Sequence, residues 1–270
     1  MNTALRSKEY KRRLLRDTIF QLKRSLHIQG FVNYLSFSIK TFINLPEIFR
    51  YQGETFRQIY VLGNQVLPLI LISSVFVSMA LGIEWAHQLE RFGAKTMIGG
   101  VLANAMIRQI GPLVVGLLIA ARTSAEITSE LGFMVLTEQI DALEAFGTDT
   151  IKRLIVPRQF ACIIVMVPLT ILADALGIIA GWFATTIWAG TDSQAFWISA
   201  VNILFVKDLI VGTVKPLFYG IFIGSISTYF GYMLKGRAEN MGQAISQAIR
   251  YSAISVLFID FLFTKVIHSF

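Results

Sequence analysis

Ile59–Ile83 reads IYVLGNQVLPLILISSVFVSMALGI and contains no charged side chain. About 20 helical residues cross a hydrocarbon core roughly 30 Å thick, so this run is long enough for one passage. Its apolar residues are continuous and do not alternate with period two, which argues for a helix and against a barrel strand. Four further runs have the same character: Met97–Ala121, Gln159–Thr191, Leu209–Leu234 and Ala244–Ile267, each holding one to three ionisable residues. The third is too long for one straight crossing and must tilt, protrude or continue as a surface helix. Composition agrees, since the 270 residues are 54% hydrophobic and 15% charged, with a mean hydropathy of +0.61, far too apolar for a soluble domain of this length. The expected fold is all-α, a polytopic membrane helical bundle of about five transmembrane helices.

The distribution of Lys and Arg orients the bundle. Residues 1–57 carry eleven of the 24 basic side chains, the 122–158 connection four and the 235–250 connection three, whereas the alternate connections carry few. By the positive-inside rule the N-terminus is cytoplasmic and, after five crossings, the C-terminus is external. The apolar run expected of a cleaved secretory signal is missing from the first 57 residues, so no such cleavage is expected. Residues 1–25 read as a basic cytoplasmic tail. Residues 26–57 read as an interfacial region, because Val32, Leu35, Ile39, Phe42 and Ile43 recur at helical spacing beside basic residues that anionic lipid attracts. Residues 58–270 form the transmembrane domain. The basic tail carries no nucleic-acid recognition motif, so no nucleic-acid partner is expected.

One cytoplasmic connection stands out. ELGFMVLTEQIDALEAFGTD, Glu130–Asp149, holds five carboxylates, whereas the forty residues after Arg158 hold two. At about 100° per residue, Leu136, Ile140, Leu143 and Gly147 fall in one sector with Phe146 beside it, while Thr137, Glu138, Asp141 and Glu144 lie opposite. Anionic lipid would repel that acidic side, so it is better suited to a protein partner than to the membrane surface. The segment, spanning about residues 124–147, is expected to be a cytoplasmic helix between two membrane helices.

Several chemistries are excluded. The single cysteine, Cys162, permits no intrachain disulfide or multi-cysteine metal site, and His27, His87 and His268 have no ligand spacing. No metal is expected. No G-x-x-x-x-G-K-[ST] segment occurs, so any ATP must be bound by another polypeptide and no cofactor is expected on this chain. No nucleophile is paired with a base, and the chain is not expected to be an enzyme.

The run IRQIGPLVVGLLIAARTSAEITSELGFMVLTEQIDALEAFGTDTIKRLIVPR, Ile107–Arg158, resembles the signature region of the MlaE (YrbE-type) permeases. The likeness extends from about Phe31 to the C-terminus, through DLIVGTVKPLFYG (Asp208–Gly220) and FIDFLFT (Phe258–Thr264). The resemblance implies the membrane subunit of an ABC transporter that moves phospholipid or a related lipid between the membranes of a double-membraned bacterium or, less readily, in a plastid envelope. It further implies a separate ABC ATPase subunit, an external MCE-domain lipid-binding partner, and a twofold homodimer enclosing the lipid cavity. On that reading the acidic segment is the coupling helix, with Glu138, Gln139 and Asp141 facing the ATPase. Leu89 and Phe92, near the external end of the first two helices, are expected to line the mouth of the cavity that the resemblance implies. The sequence departs from the family in two places. Gln109 follows Arg108 where a Glu is common, and Thr150 follows Asp149 where a Pro is common.

Charges inside the membrane cost several kcal/mol unless paired or hydrated, which marks them as functional candidates. They are Arg108, Asp174, Asp208, Lys215 and Asp260. Asp208 and Lys215 are two helical turns apart and share a face, and Arg108 and Lys215 are candidates to pair with Asp260. The family motifs cover Arg108, Gln109, Asp208, Lys215 and Asp260, which reads as an intramembrane polar network; the alternative is that such pairs only fix helix register. Asp174 is expected to pack locally or face a wet cavity. Ala173/Gly177/Gly181, Gly220/Gly224 and Gly99/Ala103 are small-residue ridges that suit close helix contacts within or between protomers. A self-contained ion-coupled transporter would also use intramembrane charges but would show an inverted repeat, which is not apparent here. A non-transporting scaffold would need no buried charges.

Overall fold

The computed structural model describes residues 30, 32–234 and 240–269; the expected basic tail, residues 1–25, lies outside them. Two units are present, one ending at Ile43 and the other beginning at Asn44. In the first, residues 32–43 form helix α1. Val32, Leu35, Ile39 and Ile43 are exposed along it, an apolar stripe of the kind an interfacial helix presents to lipid.

The second unit opens with a 3-10 turn at Leu45–Arg50, which has Pro46 in its first turn. The helices that follow are α2 (Gln52–Arg91), α3 (Ile98–Ala105), α4 (Gly111–Leu136), α5 (Gln139–Ala145), α6 (Val156–Ile187), α7 (Ser193–Ile203), α8 (Val206–Tyr232) and α9 (Met241–Ser269). No strand occurs among the described residues. Among the described residues, four stretches are long and apolar enough to cross a membrane: α2, Lys95–Leu136 containing α3 and α4, Ile151–Ile187 containing α6, and α8. The chain is therefore a multi-pass membrane protein. The fifth expected run lies in α9, which has 29 residues and packs on α4 and α8. Its length suffices, and Gln243, Gln247, Arg250, Ser252, Ser255 and Asp260 are polar positions along it.

Prolines shape the crossings. Pro112 and Pro157 sit in the first turns of α4 and α6, and each is preceded by a π-helical turn, Met106–Ile110 and Ile151–Ile155. Proline offers no N–H, and its ring collides with the carbonyl four residues back. Widening the turn to i→i+5 bonds relieves that collision. Gly111 N–H accordingly donates to the Met106 carbonyl and Val156 N–H to that of Ile151. All four tryptophans lie at one end of the bundle: Trp85 near the end of α2, Trp182 and Trp188 at the end of α6, and Trp197 in α7. Trp182 donates to Ser193 Oγ at 3.0 Å and its ring lies 6.0 Å from that of Trp197, as in an aromatic belt at a membrane interface.

Lipid removes the hydrophobic drive between helices, so close packing and hydrogen bonds must hold them together. In α2 the buried positions Leu62, Val66, Ile70, Ser74, Ser78, Gly82 and Ala86 recur every four residues and meet α6, its main neighbour. There a Cβ on Gly177 would come within 2.9 Å of Ser74 Oγ and one on Gly181 within 2.7 Å of Ser78 Oγ, while Ser74 donates to the Ala173 carbonyl. Gly220 rests on the α6 backbone and Gly99 on that of α7 at Phe196. All three small-residue ridges therefore serve contacts within the chain. Ser124 donates to Ser252 Oγ at 2.9 Å and accepts from Ser227 Oγ at 2.8 Å, which ties α4, α8 and α9 together in the core.

A Cβ on Gly220 would lie 2.7 Å from both the Cys162 carbonyl oxygen and the Ile163 Cα, backbone atoms that cannot move independently. Gly220→Val is expected to cost at least the ~1–3 kcal/mol of an overpacked core and to lower the unfolding temperature of detergent-purified protein. Gly53→Ala, which meets nothing within 4 Å, should not. Equal melting of the two variants would contradict this account of the α6–α8 contact.

Candidate functional site

The π turn before Pro112 creates the polar centre. Gly111 N–H reaches back to Met106 and Pro112 has no N–H, so the Ile107 and Arg108 carbonyls must find partners outside their own helix. Both face α8. Ile107 approaches Gly212, where a Cβ would stand 2.4 Å from its oxygen. Three residues further along α8, Lys215 Nζ donates to the Arg108 carbonyl at 2.9 Å.

Lys215 is 1% exposed. Its ammonium also donates to Gln109 Oε1 and to Asp260 Oδ1, each at 2.9 Å, so its three N–H groups have three acceptors. Asp260 Oδ1 accepts in addition from Tyr219 OH at 2.7 Å, and its other oxygen accepts from Gln109 Nε2. Thr264 Oγ1 donates to Gln109 Oε1 at 3.1 Å. Gln109 thus accepts from the lysine while donating to the carboxylate. A glutamate there would place a second carboxylate beside Asp260 and offer it no such donor, so the amide keeps this group balanced at one cation and one anion.

A second group lies toward the α7 end. Arg108 Nε stands 3.4 Å from Asp208 Oδ1, and Asp208 Oδ2 accepts from Asn104 Nδ2 and from the Phe205 backbone N–H, each at 3.1 Å. The expected pairing of Arg108 with Asp260 is therefore corrected: Lys215 takes Asp260, and Arg108 takes Asp208. Arg108 projects toward the start of α8, where Asp208 in the first turn is also favourably placed against the helix dipole. Asn104, Arg108, Ile203, Phe205, Lys207 and Asp208 line a cleft of about 570 Å³. Leu89 packs instead on the cluster of Ala86, Ile98, Leu102, Met106 and Phe196, and Phe92 is 83% exposed; neither lines this cleft. Asp174 is buried with Oδ1 unpartnered and packs against Gly111.

At the other end of the bundle the acidic segment is shorter than its sequence pattern suggested. Residues 124–136 complete α4, whose last turn is closed by Thr137 Oγ1 donating to the Phe133 carbonyl at 2.8 Å. Glu138 then adopts a left-handed φ of 57°, a conformation that strains a side chain of this kind. It breaks the helix and re-aims α5. Ile140 is buried, while Glu138, Gln139 and Asp141 are exposed, and Phe146 is 86% exposed. Glu144 departs from the expected pattern, because its carboxylate is hydrogen-bonded to Thr150 and Tyr232. Beneath α5, the buried Arg158 bonds to Glu130 at 3.0 Å and to the Leu154 carbonyl at 2.8 Å, fastening α4 to the start of α6. Sequence reasoning passed over Asn104, Tyr219 and Thr264. Each lies four residues from a charge already singled out, Arg108, Lys215 and Asp260 respectively, and that one-turn spacing is the signal that could have found them.

A multi-pass helical bundle with paired charges inside it and a short exposed helix between two crossings has the architecture of a membrane transport permease. The family model for the permease MlaE matches residues 55–266, and the chain belongs to the MlaE permease family. It is 34% identical over 225 residues to the intermembrane phospholipid transport system permease protein MlaE of Haemophilus influenzae, covering 83% of this chain and 86% of that protein. A probable ABC transporter permease protein of Rickettsia typhi is 32% identical over 234 residues, 86% and 90% of the two chains. Another from Pyropia yezoensis is 27% identical over 244 residues, 90% and 93%.

Lys215→Met removes the ammonium and leaves Asp260 without its counter-ion, a change of the kind that costs about 3–5 kcal/mol in a buried pair. Asp260→Asn in the same chain removes the orphaned charge and is expected to restore part of the loss. Unfolding of the two single mutants and the double mutant in detergent gives the coupling. An interaction energy above about 1 kcal/mol is expected for groups in direct contact, and strictly additive losses would show that the two are independent.

Proposed function

We propose that this chain is the membrane permease subunit of an ABC-type lipid transporter, moving phospholipid between the inner and outer membranes of a double-membraned bacterium. The observation that carries the reading is α5: seven residues, anchored by buried Ile140 and presenting Glu138, Gln139 and Asp141 outward, in a chain of the MlaE family. A separate ATPase subunit binds there and supplies the nucleotide chemistry, while this chain contributes the membrane path and no catalytic step. The end bearing α5 faces the cytoplasm of the inner membrane, and the end bearing α7 and the tryptophans faces the MCE-domain lipid-binding partner. The intermembrane phospholipid transport named for the Haemophilus influenzae relative and the ABC permease names of the others support this reading. The twofold homodimer, with lipid held between protomers and Leu89 and Phe92 near the mouth of its cavity, rests on the family resemblance.

Within this proposal the polar centre holds α3, α8 and α9 in register and releases them during transport. On this reading the cleft beside Arg108 and Lys207 belongs to the lipid path.

Docking on α5 is tested by charge reversal. Glu138→Lys and Asp141→Lys alter exposed positions and leave Ile140 in place, so the bundle should form normally. Recovery of the ATPase with the affinity-purified permease is expected to fall about tenfold, ~1.4 kcal/mol, for each. Undiminished recovery with both variants would remove α5 from the interface.

A further inference from the structure

Glu144 sits on the acidic side of α5, yet its carboxylate turns back onto the bundle. Its Oε1 accepts from Thr150 Oγ1 at 2.9 Å and from Tyr232 OH at 3.1 Å, and those two hydroxyls are themselves 3.0 Å apart. Three elements meet there. Glu144 is near the end of α5, Tyr232 is the last residue of α8, and Thr150, 3% exposed, immediately precedes the π turn that opens α6. The neighbouring Asp149 Oδ1 accepts from the backbone N–H groups of Ile151 and Lys152 at 3.1 and 3.4 Å, which fixes Thr150 at the start of that turn. A proline at position 150 could not supply the hydroxyl.

α8 runs unbroken from this clasp to the polar centre. Tyr232 and Lys215 are 17 positions apart in it, roughly 25 Å along a helix. At its C-terminal end the helix is held by the tyrosine hydroxyl, and further along by the ammonium that bridges Arg108, Gln109 and Asp260. A displacement of α5 therefore reaches the buried ion pair along one continuous helix, whose interior Pro216 stands beside Lys215, provided the clasp holds.

We propose that the Glu144–Thr150–Tyr232 clasp couples α5 to α8, with Thr150 and Tyr232 acting as positioning residues that convert movement of the docked ATPase into movement of the membrane path. The inference rests on the reading of α5 as the docking helix. It assigns the clasp a role separate from docking, since neither hydroxyl belongs to the outward face of Glu138, Gln139 and Asp141.

The test uses the whole transporter in proteoliposomes, with Tyr232→Phe, Thr150→Val and Thr150→Ser in the permease. Three quantities are read: ATPase recovered with the permease, ATP hydrolysed, and labelled phospholipid moved per ATP. Tyr232→Phe and Thr150→Val should hold the ATPase and hydrolyse ATP as the unaltered transporter does, while phospholipid moved per ATP falls about three- to fivefold, the scale of one lost hydrogen bond. Thr150→Ser keeps the hydroxyl and should retain the normal ratio. An unchanged ratio in both Tyr232→Phe and Thr150→Val overturns the clasp as a coupling device. So does a loss that Thr150→Ser shares with Thr150→Val, or loss of ATPase recovery in Tyr232→Phe and Thr150→Val, which would make the clasp part of docking. Failure of the unaltered chain to retain an ATPase overturns the docking reading itself and is distinguished from these by occurring without any substitution.

Discussion

An ammonium buried among membrane helices has to be given a full set of acceptors, and the arrangement around Lys215 follows from that constraint. An unpaired charge at this depth costs several kcal/mol, so the helices that meet there must supply oxygens at fixed positions. α9 supplies Asp260 and the π turn supplies the Arg108 carbonyl and the Gln109 amide. The turn can do so because Pro112 lacks the N–H that would otherwise hold the Arg108 carbonyl within its own helix. Gly212 then allows α8 to approach the Ile107 carbonyl. A proline, a glycine and a lysine that look unrelated in the chain are parts of one solution to a solvation problem.

The same economy operates where helices pack without charge. Lipid offers no hydrophobic incentive for α2 to leave it for α6, and the contact instead depends on closeness. Ser74, Ser78 and Gly82 on one helix face Ala173, Gly177 and Gly181 on the other. Two hydroxyls at this seam bond to carbonyls across it or one turn back, Ser74 to Ala173 and Thr185 to Gly181, whereas the buried Ser78 Oγ has no hydrogen-bond partner. The result is a bundle whose helices are held at defined separations. Movement of one helix end is then felt some distance along it, which is the property a transport permease needs.

The two ends of the bundle differ in kind. At the α7 end tryptophans and a cleft of about 570 Å³ combine apolar walls with Arg108, Lys207 and Asp208, a surface suited to amphipathic molecules. At the α5 end carboxylates, a left-handed Glu138 and an exposed Phe146 make a small projecting surface suited to a protein. The strained backbone at Glu138 is what turns α5 away from the axis of α4, and the pair of buried Arg158 with exposed Glu130 ties α4 to the start of α6 nearby.

Periodicity and apolar run length determined most of the architecture from the sequence alone. The all-helical class, four of the five runs and the helix between the second and third crossings all follow from local rules, because crossing a hydrocarbon layer imposes length and apolarity on each segment separately. The candidate charges were legible for the same reason: Arg108, Lys215 and Asp260 interrupt runs that tolerate few charges, and Asp208 adjoins one. Tertiary structure decided how they pair. Sequence spacing placed Asp208 and Lys215 on one face of α8 but could not tell that Arg108 would turn to Asp208 and leave Asp260 to Lys215, since that depends on where α3 and α9 cross α8. It also decided that α4 continues to Leu136 and that the exposed Glu144 is tied to the bundle, because the hydroxyls that capture its carboxylate come from Thr150 and from Tyr232, 88 positions away. Local chemistry fixes which segments enter the membrane; contacts between segments distant in the chain fix which of their polar atoms meet.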